Sequence, residues 1–150
     1  VTRYQLAQIN IARAVADLDS PLMTGFVSRL DEINALAEEA KGFVWRLQSD
    51  AGDATSIRAF DDPRTYINMS VWETAEDLKN FVYRSAHVEL IRDREAWFSR
   101  LSEQHQAAWW VPAGHRPSAG EGRDRLLRLR EQGPSATAFT LARPFPRPGE

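Results

Sequence analysis

The chain has 150 residues, no cysteine, 43% hydrophobic residues and a net charge of −2 from 19 basic and 21 acidic side chains. That length suits one domain able to bury roughly 70% of the surface its unfolded chain exposes, and the lack of thiols excludes disulfides, thiolate metal sites and a cysteine nucleophile. A balance so near neutral argues against nucleic acid, whose phosphates are bound by excess basic side chains; no apolar run approaches the ~18 residues of a membrane span, and the first residues lack a basic stretch leading into an apolar one, so a soluble, cytoplasmic protein is expected.

In chain order, residues 4–12 alternate as a first strand, with Ala7, Ile9 and Ile11 on one side and Leu6, Gln8 and Asn10 on the other. Ser20 caps a helix with Pro21 at its first position; Leu22, Phe26, Leu30, Ile33 and Leu36 recur at helical spacing down to Lys41, where Gly42 stops it. Residues 43–48 read as a second strand, with Phe43, Trp45 and Leu47 opposed to Val44, Arg46 and Gln48. After the SDAGD loop, residues 55–60 are expected to continue or pair with that strand, and the DDPR turn leads into a third strand over 67–72. Its Ile67, Met69 and Val71 form a wall for helices, while Asn68, Ser70 and Trp72 suit a half-wet cavity. Thr74 then caps a helix with Glu76 and Asp77 in its first turn and Leu78, Phe81 and Val82 as its buried stripe.

A second helical segment is expected over 86–101, capped by Ser85 and carrying Leu90, Ile91, Trp97, Phe98 and Leu101. The short apolar run AAWWV ends at Pro112, and the loop PAGHRP carries His115. Ser118 and Glu121 have capping-box spacing for a helix to about Gln132, closed by Gly133 and Pro134. Residues 137–142 make the last strand, and 144–150 form a proline-rich tail outside a single domain over 1–143. This order is the split β-α-β-β-α-β of the ferredoxin-like α+β class, an antiparallel sheet with helices on one side. The other side of every strand is partly apolar, as Leu6 and Trp72 illustrate, so a partner sheet in a homodimer is the economical way to cover it.

The runs YQLAQINIA, INALAEEAKGFVWRLQ, NMSVWET, FVYRSAH and WWVPAGHRPS resemble the bacterial domain-of-unknown-function family numbered 3291, within the dimeric α/β-barrel superfamily that also holds the antibiotic-biosynthesis monooxygenases. The resemblance implies a dimer with a barrel-like cavity in each subunit and brings no known reaction with it. Cofactor-independent quinone-forming monooxygenases and haem-degrading members of that superfamily place an asparagine on the inner side of the first strand, where Asn10 stands here. Haem-degrading members add a tryptophan on the helix after the third strand and a haem-ligating histidine; here the nearest match to that tryptophan is Phe81, and His87 falls about a turn early.

Read without the resemblance, His87, His105 and His115 have no paired spacing on one helix, so no metal site is expected. His87 at a helix junction, with Tyr83 four residues back, can serve as a general base, or it can satisfy backbone groups at the junction; His115 is balanced in the same way between binding and holding its loop. Five tryptophans can line a pocket for a flat aromatic ligand or pack the core. Neighbouring Trp109 and Trp110 point to opposite sides. Phosphate-loop, GxSxG and EF-hand patterns are absent.

The expected function is therefore a small enzyme acting on an aromatic or polyketide-like compound without a cofactor, by monooxygenase-like or isomerase-like chemistry. His87 is the acid/base candidate, Asn10 and Arg46 orient a substrate oxygen, and Asn68, Trp72, Tyr83, Trp110 and His115 complete the binding site. A non-catalytic ligand-binding or structural homodimer is the rival, and haem binding a third reading.

Overall fold

Residues Tyr4–Ala14 form β1, an eleven-residue strand paired along both of its edges. In the computed structural model, which describes residues 2–84, 92 and 94–149, β1 is followed by a 3-10 turn (Pro21–Met23), α1 (Thr24–Glu39), β2 (Phe43–Arg46), β3 (Thr65–Trp72), α2 (Ala75–Arg84), the short α3 (Arg94–Trp97), β4 (Phe98–Ser99), β5 (Gln106–Pro112) and α4 (Ala119–Gln132). All strand pairs are antiparallel. One edge of β1 pairs with β3, which pairs onward with β2; the other edge is shared by β5, opposite Tyr4 to Asn10, and β4, opposite Arg13 and Ala14. The class is ferredoxin-like α+β, with β1, α1, β2, β3, α2 and β5 as the split β-α-β-β-α-β unit.

The local signals explain where these elements stop. Ser20 Oγ accepts from the Leu22 amide at 3.3 Å, but the residues it caps form the 3-10 turn, and α1 proper starts at Thr24. Gly42 turns the chain out of α1 with φ +83°, and Gly133 ends α4 with φ +75°, both in the left-handed region where a Cβ is costly. At the head of α4, Ser118 Oγ accepts from the Glu121 amide at 3.1 Å. The carboxylate of Asp62 builds the turn before β3: it accepts from the Arg64 amide at 2.9 Å and from Arg13 Nε at 2.5 Å.

Three elements differ from their sequence patterns. The last strand of the split motif is Gln106–Pro112, not 137–142. Once β5 occupies the free edge of β1 it leaves only its own outer edge, where Ala108 and Phe139 exchange backbone hydrogen bonds of 2.8 and 2.9 Å before the chain turns away. Residues 55–60 do not pair as a strand; Asp53 holds a turn at Thr55, and Ile57, Ala59 and Phe60 lie against the sheet. Of the helix expected over 86–101, the described part is α3 alone, after which Phe98 and Ser99 join the sheet; 85–91 and 93 lie outside the described residues.

Strand alternation divides the core in two. On one side, Ala7, Ile9, Ile11, Ile67, Met69, Val71, Ala107, Trp109 and Val111 are buried beneath α4, through Leu126 and Leu129, and beneath Leu47, Ile57, Ala59 and Phe60. On the other, Leu6, Trp72 and Ala108 pack against α1 and α2 through Leu36, Ala37, Leu78 and Phe81. Helices therefore lie on both sides of the sheet. The homodimer was expected because one side of the sheet needed covering, and within this chain α4 and the 47–60 segment cover it. The proline-rich end is packed too: Phe145 stacks on Phe139 with centroids 5.7 Å apart, and its carbonyl accepts from Trp110 Nε1 at 3.0 Å.

Gly122 sits where α4 comes closest to the sheet. A Cβ there would lie 2.8 Å from Met69 Cε and Sδ and 3.0 Å from Ile9 Cδ1. Because the Met69 terminus can swing aside and alanine gains roughly 1 kcal/mol of helix propensity over glycine, Gly122→Ala is expected to stay within about 1 kcal/mol of wild type in urea unfolding. Gly122→Leu inserts a branched side chain into a packed layer and should lose about 2 to 3 kcal/mol; a leucine variant as stable as wild type would mean that α4 does not sit on Ile9 and Met69.

Candidate functional site

The pairing register arranges the side chains of the α1/α2 side in three rows across the strands. Trp110, Leu6, Trp72 and Phe43 make an aromatic row. Next come Ala108, Gln8, Ser70 and Arg46, and then Gln106, Asn10 and Asn68. Directly opposed residues on one side of a sheet have Cβ atoms about 5 Å apart, so the last row sets three carboxamides side by side on β5, β1 and β3.

A hydrogen-bond chain joins the rows. Trp72 Nε1 donates to Ser70 Oγ at 2.8 Å; Gln8 Nε2 donates to Ser70 Oγ and to Asn68 Oδ1, both at 2.8 Å. Trp72, Ser70 and Gln8 are buried, whereas Asn68 and Asn10 are exposed. The network thus starts in the core and ends in the exposed amide of Asn68, beside Asn10. Trp72 is a core side chain, edge-on to Phe43 at 5.6 Å and tilted against Phe81 at 5.2 Å. It acts on the stripe through its indole N–H, not as an open wall.

α1 spans this stripe from two anchors. At its start, Phe26 packs on Trp97 and Phe98, with centroids 5.9 and 4.9 Å away, beside Ala14. Near its end, Leu36, Ala37 and Ala40 join the cluster around Leu6 and Trp72. These anchors lie at opposite ends of β1, so the middle of α1 passes the level of Gln8 and Asn10. No residue of α1 is fully buried.

Arg46 reaches the same side because β2 carries a register irregularity between Phe43 and Trp45. That bulge puts Phe43 with Arg46 and sends Trp45 to the α4 side, against the simple alternation expected for this strand. Arg46 Nε pairs with Glu38 Oε1 of α1 at 2.8 Å, tying helix to strand.

The remaining candidates lie elsewhere. Tyr83 is exposed on the outer face of α2, in a depression of about 390 Å³ with Lys79, Arg84 and Pro144. Trp110 sits beneath residues 144–147 at a second depression of about 330 Å³, with the Arg147 guanidinium 5.0 Å from its ring centroid. His115 is on the α4 side: its Nε2 donates to Glu121 Oε1 at 2.7 Å, and Glu121 Oε2 accepts from Trp109 Nε1 at 2.9 Å. His87 lies outside the described residues. Among the described residues, no three histidine, aspartate or glutamate side chains converge as a cation site, and no helix is long and apolar enough to cross a membrane.

Residues 5–150 match the model of a family described as a domain of unknown function, DUF3291. The chain belongs to this family. No curated protein matches it. Among solved structures, it is similar to SnoaB, a cofactor-independent oxygenase from Streptomyces nogalater, at 13% identity and a TM-score of 0.49 over 75% of this chain and 95% of that one. It is also similar to NE2512, a protein of unknown function from Nitrosomonas europaea, at 13% identity and 0.48 over 79% and 99%. Likeness at that level assigns no chemistry, which has to be argued from the side chains of this DUF3291 chain.

Sequence patterns missed Gln8, Ser70 and Gln106 as partners of the two asparagines. The available signal was polar residues at alternate positions of otherwise apolar strands, Gln8 on β1 and Ser70 on β3. They also missed Glu121, whose capping-box position hides a second task. Removing it in Glu121→Ala leaves the buried Trp109 N–H without an acceptor, an expected loss of about 1–3 kcal/mol, whereas His115→Ala removes a half-exposed partner and should lose about 1 kcal/mol or less. Urea denaturation of the two variants checks the order; a larger loss for His115→Ala would give the histidine more than a bracing role.

Proposed function

We propose that this chain is a small-molecule enzyme that binds a planar, oxygen-bearing aromatic compound over the Gln8, Asn10, Asn68 and Ser70 stripe and oxygenates it without a bound cofactor. The observation that carries this reading is the chain of hydrogen bonds from Trp72 through Ser70 and Gln8 to Asn68, which ends in an exposed carboxamide beside that of Asn10. An ordinary outward sheet side carries solvated, unlinked polar groups. Here a buried glutamine uses both of its N–H groups to hold its neighbours, an arrangement that pre-orients a site.

The exposed amides suit a flat occupant: Asn10 and Asn68 stand side by side on neighbouring strands, spaced to meet the oxygen-bearing edge of a ring system. Because Arg46 is engaged by Glu38, the groups of the described residues that meet such a ligand are neutral amides. Amide N–H groups that stabilise an enolate oxygen make the C–H conjugated with it more acidic; once that proton passes to solvent, the resulting carbanion can react with dioxygen directly. The asparagine expected from the superfamily on the first strand, Asn10, stands in this row beside Asn68.

Anthrone, a tricyclic ketone with an acidic methylene, tests the reading: one molecule takes up one dioxygen to give anthraquinone and water. The chain is expected to accelerate oxygen uptake above the buffer rate, and Asn10→Ala or Asn68→Ala to lower that acceleration by roughly 100-fold, the usual effect of losing one oxyanion donor. No acceleration by the wild-type chain, or full activity in both variants, would remove the oxygenase reading; binding without turnover would favour a ligand-binding role.

A further inference from the structure

Gln106 opens β5 directly opposite Asn10, in the same row as Asn68. Its Oε1 accepts from the Leu141 amide at 3.1 Å. A backbone N–H only donates, so this bond fixes which branch of the carboxamide is the oxygen and turns Nε2 the other way. That Nε2 is buried and has no hydrogen-bond partner among the described residues. Beside it, the Asn10 carboxamide is exposed and makes no hydrogen bond to a described residue. A buried orphan donor next to an unassigned acceptor calls for an explanation.

The other half of the row supplies it. One strand over, Gln8 Nε2 holds Asn68 by its oxygen, which leaves the Asn68 NH2 facing out. We propose that Gln106 does the same for Asn10: its Nε2 donates to Asn10 Oδ1 when a ligand is bound, so that Asn10 and Asn68 both present N–H groups. Gln106 is then a positioning residue, and the pair of asparagines selects compounds with an acceptor-only oxygen, a ketone, enolate or phenolate, over the same ring system without one. The inference rests on the small-molecule reading of the stripe and names the ligand chemistry that it favours.

The test compares two ligands of one shape, anthrone and 9,10-dihydroanthracene, which differ in a carbonyl against a methylene. Both are titrated anaerobically into the full chain and followed by tryptophan fluorescence. The wild-type chain should prefer anthrone by about tenfold, the worth of one good hydrogen bond. Gln106→Glu keeps the oxygen that meets Leu141 but replaces the donor by an acceptor, so the preference should fall by several-fold, Asn68 keeping the remainder, while dihydroanthracene binding changes by less than about twofold. In an Asn10→Ala background the same substitution should have no further effect, because its action passes through Asn10. Should Gln106→Glu melt below the assay temperature, Gln106→Met, of similar length and without a donor, is read in the same way. A retained preference in the glutamate or methionine variant, or an equal loss with Asn10 absent, would overturn the role of Gln106 and leave the site intact. Failure of the wild-type chain to bind either compound would instead remove the small-molecule reading itself.

Discussion

Gln8 lies at the centre of the central strand, 5% exposed, and its carboxamide has to be hydrogen bonded where water does not reach. This constraint organises one whole side of the sheet. Its two N–H groups fix Ser70 and Asn68 on β3, Ser70 in turn receives the Trp72 indole, and Trp72 closes the apolar end against Phe43 and Phe81. Leaving such a donor unpaired would cost about 1–3 kcal/mol. The same bonds lock the register of β1 against β3, since a slip of β1 by one residue would turn Gln8 into the apolar layer beneath α4 and leave Ser70 and Asn68 without it. The register of the fold and the order of the site are therefore one requirement.

The opposite side is solved by packing alone. Ile9, Met69 and Trp109 are covered by a helix that follows the split motif, and the glycine at its second turn lets helix and sheet backbones approach. The polar devices of that layer sit at its rim: Glu121 joins the buried Trp109 indole to the half-exposed His115, and Gln5 accepts from the Gly114 amide at 3.4 Å while donating to Glu73 at 3.0 Å. The residues of WWVPAGHRPS thus hold the start of α4 in place. Within one chain, then, α4 and the 47–60 segment cover the layer that would otherwise call for a partner sheet.

Much of the fold was legible because its signals are local. Ser118 with Glu121, the left-handed glycines Gly42 and Gly133, and the alternation in β1 and β3 each act within a few residues. Where competition between distant segments decides, the sequence is silent. The apolar runs at 107–111 and 137–142 both read as strands, and only the free edge of β1 determines which one joins the sheet. In β2 the bulge after Phe43 reverses the sides expected for Trp45, and no residue there announces it. The candidate site followed the same rule. Asn10 and Asn68 come from different strands yet share a row, whereas Tyr83 and His115, chosen for their chemistry alone, lie away from it. Gln106 shows its importance only through register, as the residue opposite Asn10.

Charge has a defined place in this architecture. Among the described residues, the helix-facing stripe holds one guanidinium, that of Arg46, and α1 neutralises it through Glu38. Unpaired, Arg46 would make the stripe an anion site and bind any carboxylate strongly in both ground and transition states, which lowers no barrier. Neutral amides grip an oxygen weakly while it is a carbonyl and more tightly as it gains charge, because hydrogen bonds to ionised acceptors are roughly twice as strong. Burial of Gln8 and Ser70 keeps those dipoles from relaxing as that charge develops. An amide row anchored on a buried glutamine, with the cation of its described residues already paired, would discriminate between the two forms of an oxygen better than a free arginine.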